Sequence, residues 1–260
     1  HNALRAHGRA VQMLRQHAKQ PLTIGYAPTS GIIYPASDRP EDIEAARKKY
    51  FSMPEDDSNW TWNVAWWSDP VLLGKYPEEG LKKYEKYLPK ITEKDMRLIS
   101  EPIDVYGQNI YNGRAFRMGA DGNPEEVGRV PGAGKTAVNW PVTPECLYWG
   151  PKFLYERYKK PIYITENGMA CHDIVSLDQR VHDPNRIDFL ARYLHELKRA
   201  AEEIDLRGYF QWSLMDNFEW EKGYAERFGI VYVDFETQER ILKDSAYWYR
   251  DVIQTNGRDL

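Results

Sequence analysis

The chain has 260 residues, with 42 % hydrophobic and 28 % charged residues and a formal net charge of −4. That length can bury a sizeable core, and the mild acidity, with no basic tract, excludes the electrostatic footprint of a nucleic-acid binder. Apolar runs are too short for a membrane span, and the two cysteines, Cys146 and Cys171, form neither a CxxC pair nor a disulfide framework. Nine Trp and eighteen Tyr are many for this length. Their faces serve core packing or the stacking of sugars and bases, and composition alone does not choose.

In chain order, His1-Asn2-Ala3-Leu4 runs straight into a helical pattern carried by Leu4, Val11 and Leu14. An opening without Met, in mid-pattern, leads to the expectation of a preceding segment. With no signal-peptide layout and with reduced thiols, the expected location is cytoplasmic. Four apolar, β-branched or aromatic stretches read as buried strands: Leu22 to Tyr26, Val105 to Tyr111, Ile162 to Thr165 and Gly208 to Trp212. Helices are expected over 40 to 50, 57 to 73, 80 to 88, 92 to 99 and 183 to 203. Pro40 suits a first helical position, Thr92 and Asp95 suit a capping box, and Asp183 precedes Pro184 as a candidate cap. Ile187, Leu190, Leu194 and Leu197 line one face of the last helix.

Two stretches interrupt the alternation. Residues 114 to 130, around Asp121-Gly122-Asn123-Pro124, and residues 228 to 243, turning near Glu236 and Thr237, both read as hairpins. Strands alternating with helices imply a parallel sheet. A complete (β/α)8 barrel takes about 250 residues, yet only four strand–helix units are visible here. The expected fold is therefore α/β, the last four units of a (β/α)8 TIM barrel, with residues 1–260 forming part of one domain.

Two segments carry chemistry. In Pro161-Ile162-Tyr163-Ile164-Thr165-Glu166-Asn167-Gly168 a buried strand delivers an acid directly into a turn, the position that faces a barrel's active-site mouth. A strand-end acid that merely caps a turn is the competing reading. In Tyr209 to Trp220 two indoles and two acids leave another strand. Burying Asp216 and Glu219 unpaired would be costly, which favours a role facing a polar ligand. Glu219 beside Trp220 offers acceptors next to a flat apolar wall, a pairing suited to a pyranose.

These runs, ITENG and YFQWSLMDNFEW, together with RFGIVYVDFETQER and the upstream stretch YPEEGLKKYEKYLPKITEKDMRLISEPIDVYGQNIYNG, closely resemble family 1 glycoside hydrolases, the β-glucosidase group. The resemblance covers nearly the whole chain and implies a retaining β-glycosidase without a cofactor or metal. By that resemblance Glu166 is the nucleophile, the Tyr111 hydroxyl holds it, and Asn109 shapes the site beside it. Trp212 underlies the sugar, and Glu219 and Trp220 take its 4- and 6-hydroxyls. Phe228 is an aromatic wall beside that pair, and Trp140 stacks on the leaving-group sugar. The implied substrate is a β-glucoside or cello-oligosaccharide.

A retaining mechanism needs a second carboxyl, which the family places in an Asn-Glu-Pro motif. None occurs here; Ser100-Glu101-Pro102 and Pro144-Glu145 have the wrong context. The acid/base is therefore expected on an amino-terminal half, which this chain would pair with unless it associates with itself. The chain alone is expected to be inactive. Departures from the family are Cys146, where Gly is usual, and Cys171-His172 after the nucleophile.

Three rival readings compete with this one. Pro131-Gly132-Ala133-Gly134-Lys135-Thr136 suggests a phosphate loop, but position 129 is Arg, Gly128 lies one residue too far and Pro141 breaks a following helix. A non-catalytic sugar-binding half-barrel would use the same aromatic and acidic cluster. Hydrolysis of 6-phospho-sugars is disfavoured because Glu219 would repel a phosphate dianion.

Overall fold

The computed structural model describes residues 1–54 and 60–260. The elements, in order, are α1 (Asn2–His17), β1 (Gly25–Tyr26), β2 (Ile32–Pro35), α2 (Pro40–Phe51), α3 (Val64–Leu72), α4 (Glu78–Lys83), α5 (Glu93–Ile99), β3 (Val105–Asn109), β4 (Gly113–Met118) and β5 (Pro124–Val127). They continue with α6 (Cys146–Tyr158), β6 (Ile162–Asn167), α7 (Pro184–Ala201), β7 (Leu206–Gln211), β8 (Val231–Val233), β9 (Arg240–Leu242) and α8 (Asp244–Gln254).

β1, β3, β6 and β7 form one sheet in that order, every pair parallel. A helix follows each strand: α5, α6, α7 and α8. This is the α/β arrangement of four consecutive units of a (β/α)8 barrel. Among the described residues β1 and β7 are each paired on one side only. The register slips beside Asn109 and between Ile164 and Asn167, where the pairing skips a residue around Glu166. Such irregularities at a strand end re-aim side chains.

One apolar cluster lies between the sheet and α6 and α7, with Tyr106, Ile110, Leu147, Phe153, Leu154, Ile164, Phe189 and Tyr193 nearly solvent-free. A second joins α1 and α3 through Leu4, Val11, Trp66 and Ile99. The barrel-inner face is barely covered: Phe210 on β7 is 57 % exposed and stacks on Tyr163.

Several expectations are refined. β1 is shorter than Leu22 to Tyr26 because it is an edge. Leu22 is exposed, and the Ile24 amide donates to the Asp104 side chain instead of a second strand. Of the helix expected over 57 to 73, residues 57 to 59 lie outside the described residues and 60–62 form a 3-10 turn. The helix itself starts at Val64, capped by the Asn63 side chain, which accepts from the Trp66 amide. The stretch 80 to 88 divides into α4 and a separate 3-10 turn over Glu85–Tyr87, breaking at Tyr84, whose buried ring meets Trp66 edge-on.

The Thr92–Asp95 capping box is present. Asp183 holds the cap position of α7, but its carboxylate makes no capping bond and turns to Arg186 and Ser245. Both hairpins form, β4 with β5 and β8 with β9. Gly122 sits in the first turn at φ 78°, a conformation that only glycine adopts without strain. β2, which runs parallel to β4, was not anticipated: four residues ending in Pro carry too little periodicity.

Candidate active site

Glu166 emerges at the carboxyl end of β6, partly exposed, beside Asn109 of β3 in the sheet register. The Tyr111 hydroxyl donates to Glu166 Oε2 at 2.7 Å. Burial, then the Glu166 charge and this hydrogen bond, push the Tyr111 pKa far up. The phenol therefore stays a neutral donor at any working pH, which suits a group that holds a carboxylate. Tyr111 is itself anchored, because its backbone carbonyl accepts from the Tyr193 hydroxyl at 3.0 Å. Asn109 Oδ1 accepts from the Thr165 hydroxyl at 2.7 Å, tying the strand ends together one residue before Glu166.

Asn167 was missing from the candidates and is central to the geometry. It is fully buried, its Nδ2 donates to the Ile110 carbonyl, and its Oδ1 accepts from the Tyr209 hydroxyl. Its own carbonyl accepts from the Trp212 amide at 2.7 Å. The signal was present in the sequence, since an Asn following a strand-end acid can bond sideways across a sheet, but its partners are far away along the chain. Gly168 completes the turn for a steric reason. A Cβ there would lie 1.8 Å from the Trp212 carbonyl oxygen, so only glycine lets the β6 and β7 loops approach this closely.

Aromatic rings enclose one side. Tyr111 and Trp140 meet edge-on with centroids 5.1 Å apart, and Phe228 lies 6.2 Å from Tyr111 and 5.9 Å from Trp140. Phe228 is only 2 % exposed, so it buttresses these rings from behind instead of presenting an open face.

On the other side Trp212 is half-buried, and its side chain favours the charged form of the Glu219 carboxyl. Burial pushes the Glu219 carboxyl above the usual carboxylate range. The Trp212 side chain opposes this, and the charges of Glu166, Glu221 and Glu226 reinforce it. The charge of Glu219 acts on both Glu166 and Tyr111, so the two carboxyl groups lie within electrostatic reach of one another. Trp220 is 78 % exposed.

Asp216 does not join Glu219 in the cleft, contrary to the expectation that both acids face a ligand. It is buried and fully partnered. Oδ1 accepts from Lys243 Nζ (2.8 Å) and the Gly229 amide (3.0 Å), and Oδ2 accepts from Arg227 Nη1 (2.6 Å). The physical argument about unpaired acids was sound, but the pairing cations lie 11 and 27 residues away. Cys146 is wholly buried and its thiol pKa is raised by that burial. Cys171 is partly buried, with its thiol raised to about 11 mainly by burial, so neither is a thiolate at neutral pH. Among the described residues no group of three or more His, Cys, Asp or Glu could hold a metal ion, and no helix is long and apolar enough to cross a membrane.

The glycosyl hydrolase family 1 profile matches residues 1–258. β-Glucosidase A of Thermotoga maritima is 44 % identical, the match covering 99 % of this chain and 56 % of that protein. A 1,4-β-D-glucan glucohydrolase of Thermotoga neapolitana is 43 % identical with the same coverage. Among solved structures, the Thermotoga maritima β-glucosidase in complex with glucoimidazole superposes with a TM-score of 0.81 at 44 % identity, covering 98 % of this chain and 56 % of that one. The same enzyme with castanospermine gives 0.81 at 43 %. The chain thus spans about half the length of the relatives it matches, and the barrel it superposes on continues beyond it. Its four parallel strand–helix units are part of a TIM-barrel fold, and the chain belongs to glycosyl hydrolase family 1.

Proposed function

We propose that this chain supplies the nucleophile-bearing half of a retaining β-glucosidase whose acid/base carboxyl lies on an amino-terminal barrel half. The observation that carries the reading is the Tyr111–Glu166 hydrogen bond at a strand's carboxyl end, in a cleft shared with Trp212 and Glu219. A carboxylate held by a neutral phenol, with one face open, is oriented for attack at an anomeric carbon. Glu166 forms the C1–O bond as the aglycone oxygen departs with a proton from the partner carboxylic acid. Water, deprotonated by that same group, then breaks the glycosyl ester and returns Glu166. Retention requires the two carboxyl groups about 5 Å apart, a spacing only the completed barrel can provide.

In this reading Trp212 forms the floor beneath the sugar, and Glu219 with Trp220 takes its 4- and 6-hydroxyls. Trp140, backed by Phe228, borders the aglycone, and Asn109 positions the strand end. Glu221 and Glu226 add negative charge around Glu219. A free β-glucoside or cello-oligosaccharide suits that environment better than a 6-phospho-sugar. The relatives' names, β-glucosidase and glucan glucohydrolase, support the substrate class. The exposed Phe210 on the inner face and the single-sided edges β1 and β7 favour pairing with the missing units.

The test combines this chain with the amino-terminal portion of the Thermotoga maritima enzyme that it leaves unmatched. A 2-deoxy-2-fluoro β-glucoside should then add its glycosyl mass to the peptide containing Glu166, and the chain alone should neither label nor hydrolyse. Turnover by the combined barrel with the label on another residue would overturn the assignment. Saturable sugar binding with no label and no turnover would instead establish a sugar-binding module.

A further inference from the structure

Behind the cleft lies a cluster of charges that takes no direct part in this chemistry. Arg186 on α7 and Lys243 at the start of α8 are both 0 % exposed. Arg186 donates to Asp173 (2.7 Å), to Asp183, to the Met169 carbonyl (3.3 Å) and to the Arg227 carbonyl (2.8 Å). Lys243 Nζ donates to Asp173 Oδ2 at 2.6 Å and to Asp216 Oδ1 at 2.8 Å. Arg227 completes Asp216, and the Ser245 amide and hydroxyl complete Asp183. Three carboxylates face three cations, so the cluster is neutral.

Its connections are specific. Met169 and Asp173 belong to the segment that follows Glu166, whereas Asp216 and Arg227 bracket the loop that carries Glu219 and Trp220. Lys243 bridges the two through one atom. The Gly229 amide also donates to Asp216, and a Cβ on Gly229 would lie 2.2 Å from the Asp216 amide nitrogen, so the ends of the second loop are pressed together at that carboxylate. Apolar side chains of similar volume would fill this space at comparable or better stability, because desolvating buried ions offsets most of their attraction. Ionic hydrogen bonds supply what apolar packing lacks, a single register between the two loops.

We propose that Lys243, acting through Asp173 and Asp216, is a positioning residue that sets the spacing between the nucleophile and the hydroxyl-binding Glu219–Trp220 loop, and thereby selectivity for the sugar's 6-hydroxymethyl group. The inference rests on the functional reading above, since it assigns the Glu219 loop to that end of the sugar. Lys243 touches no substrate. Its effect is transmitted along the loop, from Asp216 to Glu219 three residues on.

The experiment uses the completed barrel, with active sites counted by the fluoro-glucoside. Lys243→Met should lower kcat/KM for an aryl β-glucoside by about a hundredfold, the scale of a misplacement of roughly 1 Å. An aryl β-xyloside, which lacks the 6-hydroxymethyl, should lose about tenfold or less, so the glucoside-to-xyloside ratio collapses by at least about tenfold. Lys243→Arg, retaining the cation, should restore most of that ratio. If Lys243→Met does not fold, Asp216→Asn reads the same ratio at unchanged side-chain volume. A purely structural role lowers the count of active sites and leaves the ratio of either variant at the parent value, which overturns the proposal. A parent barrel that neither labels nor turns over removes the functional reading and this inference with it. A labelled, active parent with an unchanged variant ratio removes this inference alone.

Discussion

The two sides of the cleft are built differently. Around Glu166 the structure is closed: Asn167, Ile164 and Ile110 are solvent-free, and Tyr111 is pinned at its hydroxyl by Glu166 and at its carbonyl by Tyr193. The loop after β7 is open, with Leu214, Met215, Phe218, Trp220 and Tyr224 all exposed. Its fixed points are behind it, in the charges at Asp216 and in two backbone bonds, the Ser213 amide donating to the Phe228 carbonyl and the Ile230 amide to the Ser213 carbonyl. Glu166 is thus held in place within this chain, whereas the side chains proposed to grip the sugar stand on a largely exposed loop. Strength of packing, not chemistry of the side chains, separates the two halves.

Four substitutions would break or sharpen this contrast. Arg186→Met removes the guanidinium from two buried carboxylates and two carbonyls, leaving Asp173 to Lys243 and Asp183 to Ser245, and spares the open loop's own side chains. It should cost about 3–5 kcal/mol in urea unfolding of the chain, the penalty for breaking a buried ion network from one side. A loss below about 1 kcal/mol would show that the cluster relaxes. Tyr111→Phe keeps the aromatic packing and removes only the donor to Glu166. Glycosylation of Glu166 in the completed barrel should slow by tenfold to hundredfold, matching about 1.5–3 kcal/mol for a hydrogen bond to a charged group. Unchanged labelling kinetics would show that the packing, without the hydroxyl, orients the carboxylate.

Gly168→Ala tests the seam between the two sides. The added methyl collides with backbone, which cannot rotate away, and should destabilise the chain by about 1–3 kcal/mol in thermal melts. The smallest effect is expected at Glu219. Its pKa is raised, so the fold favours the protonated acid; that stabilisation is complete below the ordinary Glu value and is lost as pH rises through the raised one. Glu219→Gln should therefore stabilise the chain at pH 7 by less than about 1 kcal/mol, given the solvent screening of a half-exposed group, and should do nothing near pH 3. Destabilisation at pH 7 would mean that the attraction of the Trp212 side chain outweighs the repulsion.

Much of the fold was legible because its signals are local. Pro40, the Thr92–Asp95 box and the Asp121-Gly122 turn act within a few residues, and the apolar stretches of β3 and β6 mark buried parallel strands; β7 is parallel too, but as a sheet edge it has no buried residue. Boundaries failed where distant contacts decide them: β1 shortens at a sheet edge, and the expected helix at 80 to 88 breaks where Tyr84 docks on Trp66. Glu166, Tyr111 and Glu219 were found because short motifs carry them. Asn167 and Phe228's place behind the other rings were not, since each depends on partners tens of residues away.

The amino-acid order by itself determined the alternation of strands and helices, the strand-end position of the acid at 166 and the family to which the chain belongs, because periodicity, turn residues and motifs are properties of neighbouring residues. Only the tertiary structure decided which acids are free. Asp216 and Glu219 are three residues apart and chemically alike, yet one is neutralised by Lys243 and Arg227 and the other turns to the open cleft. Charge pairing acts through space over a few ångströms, and which cations come within that reach is settled by the folding of β7, the hairpin and α8 against one another.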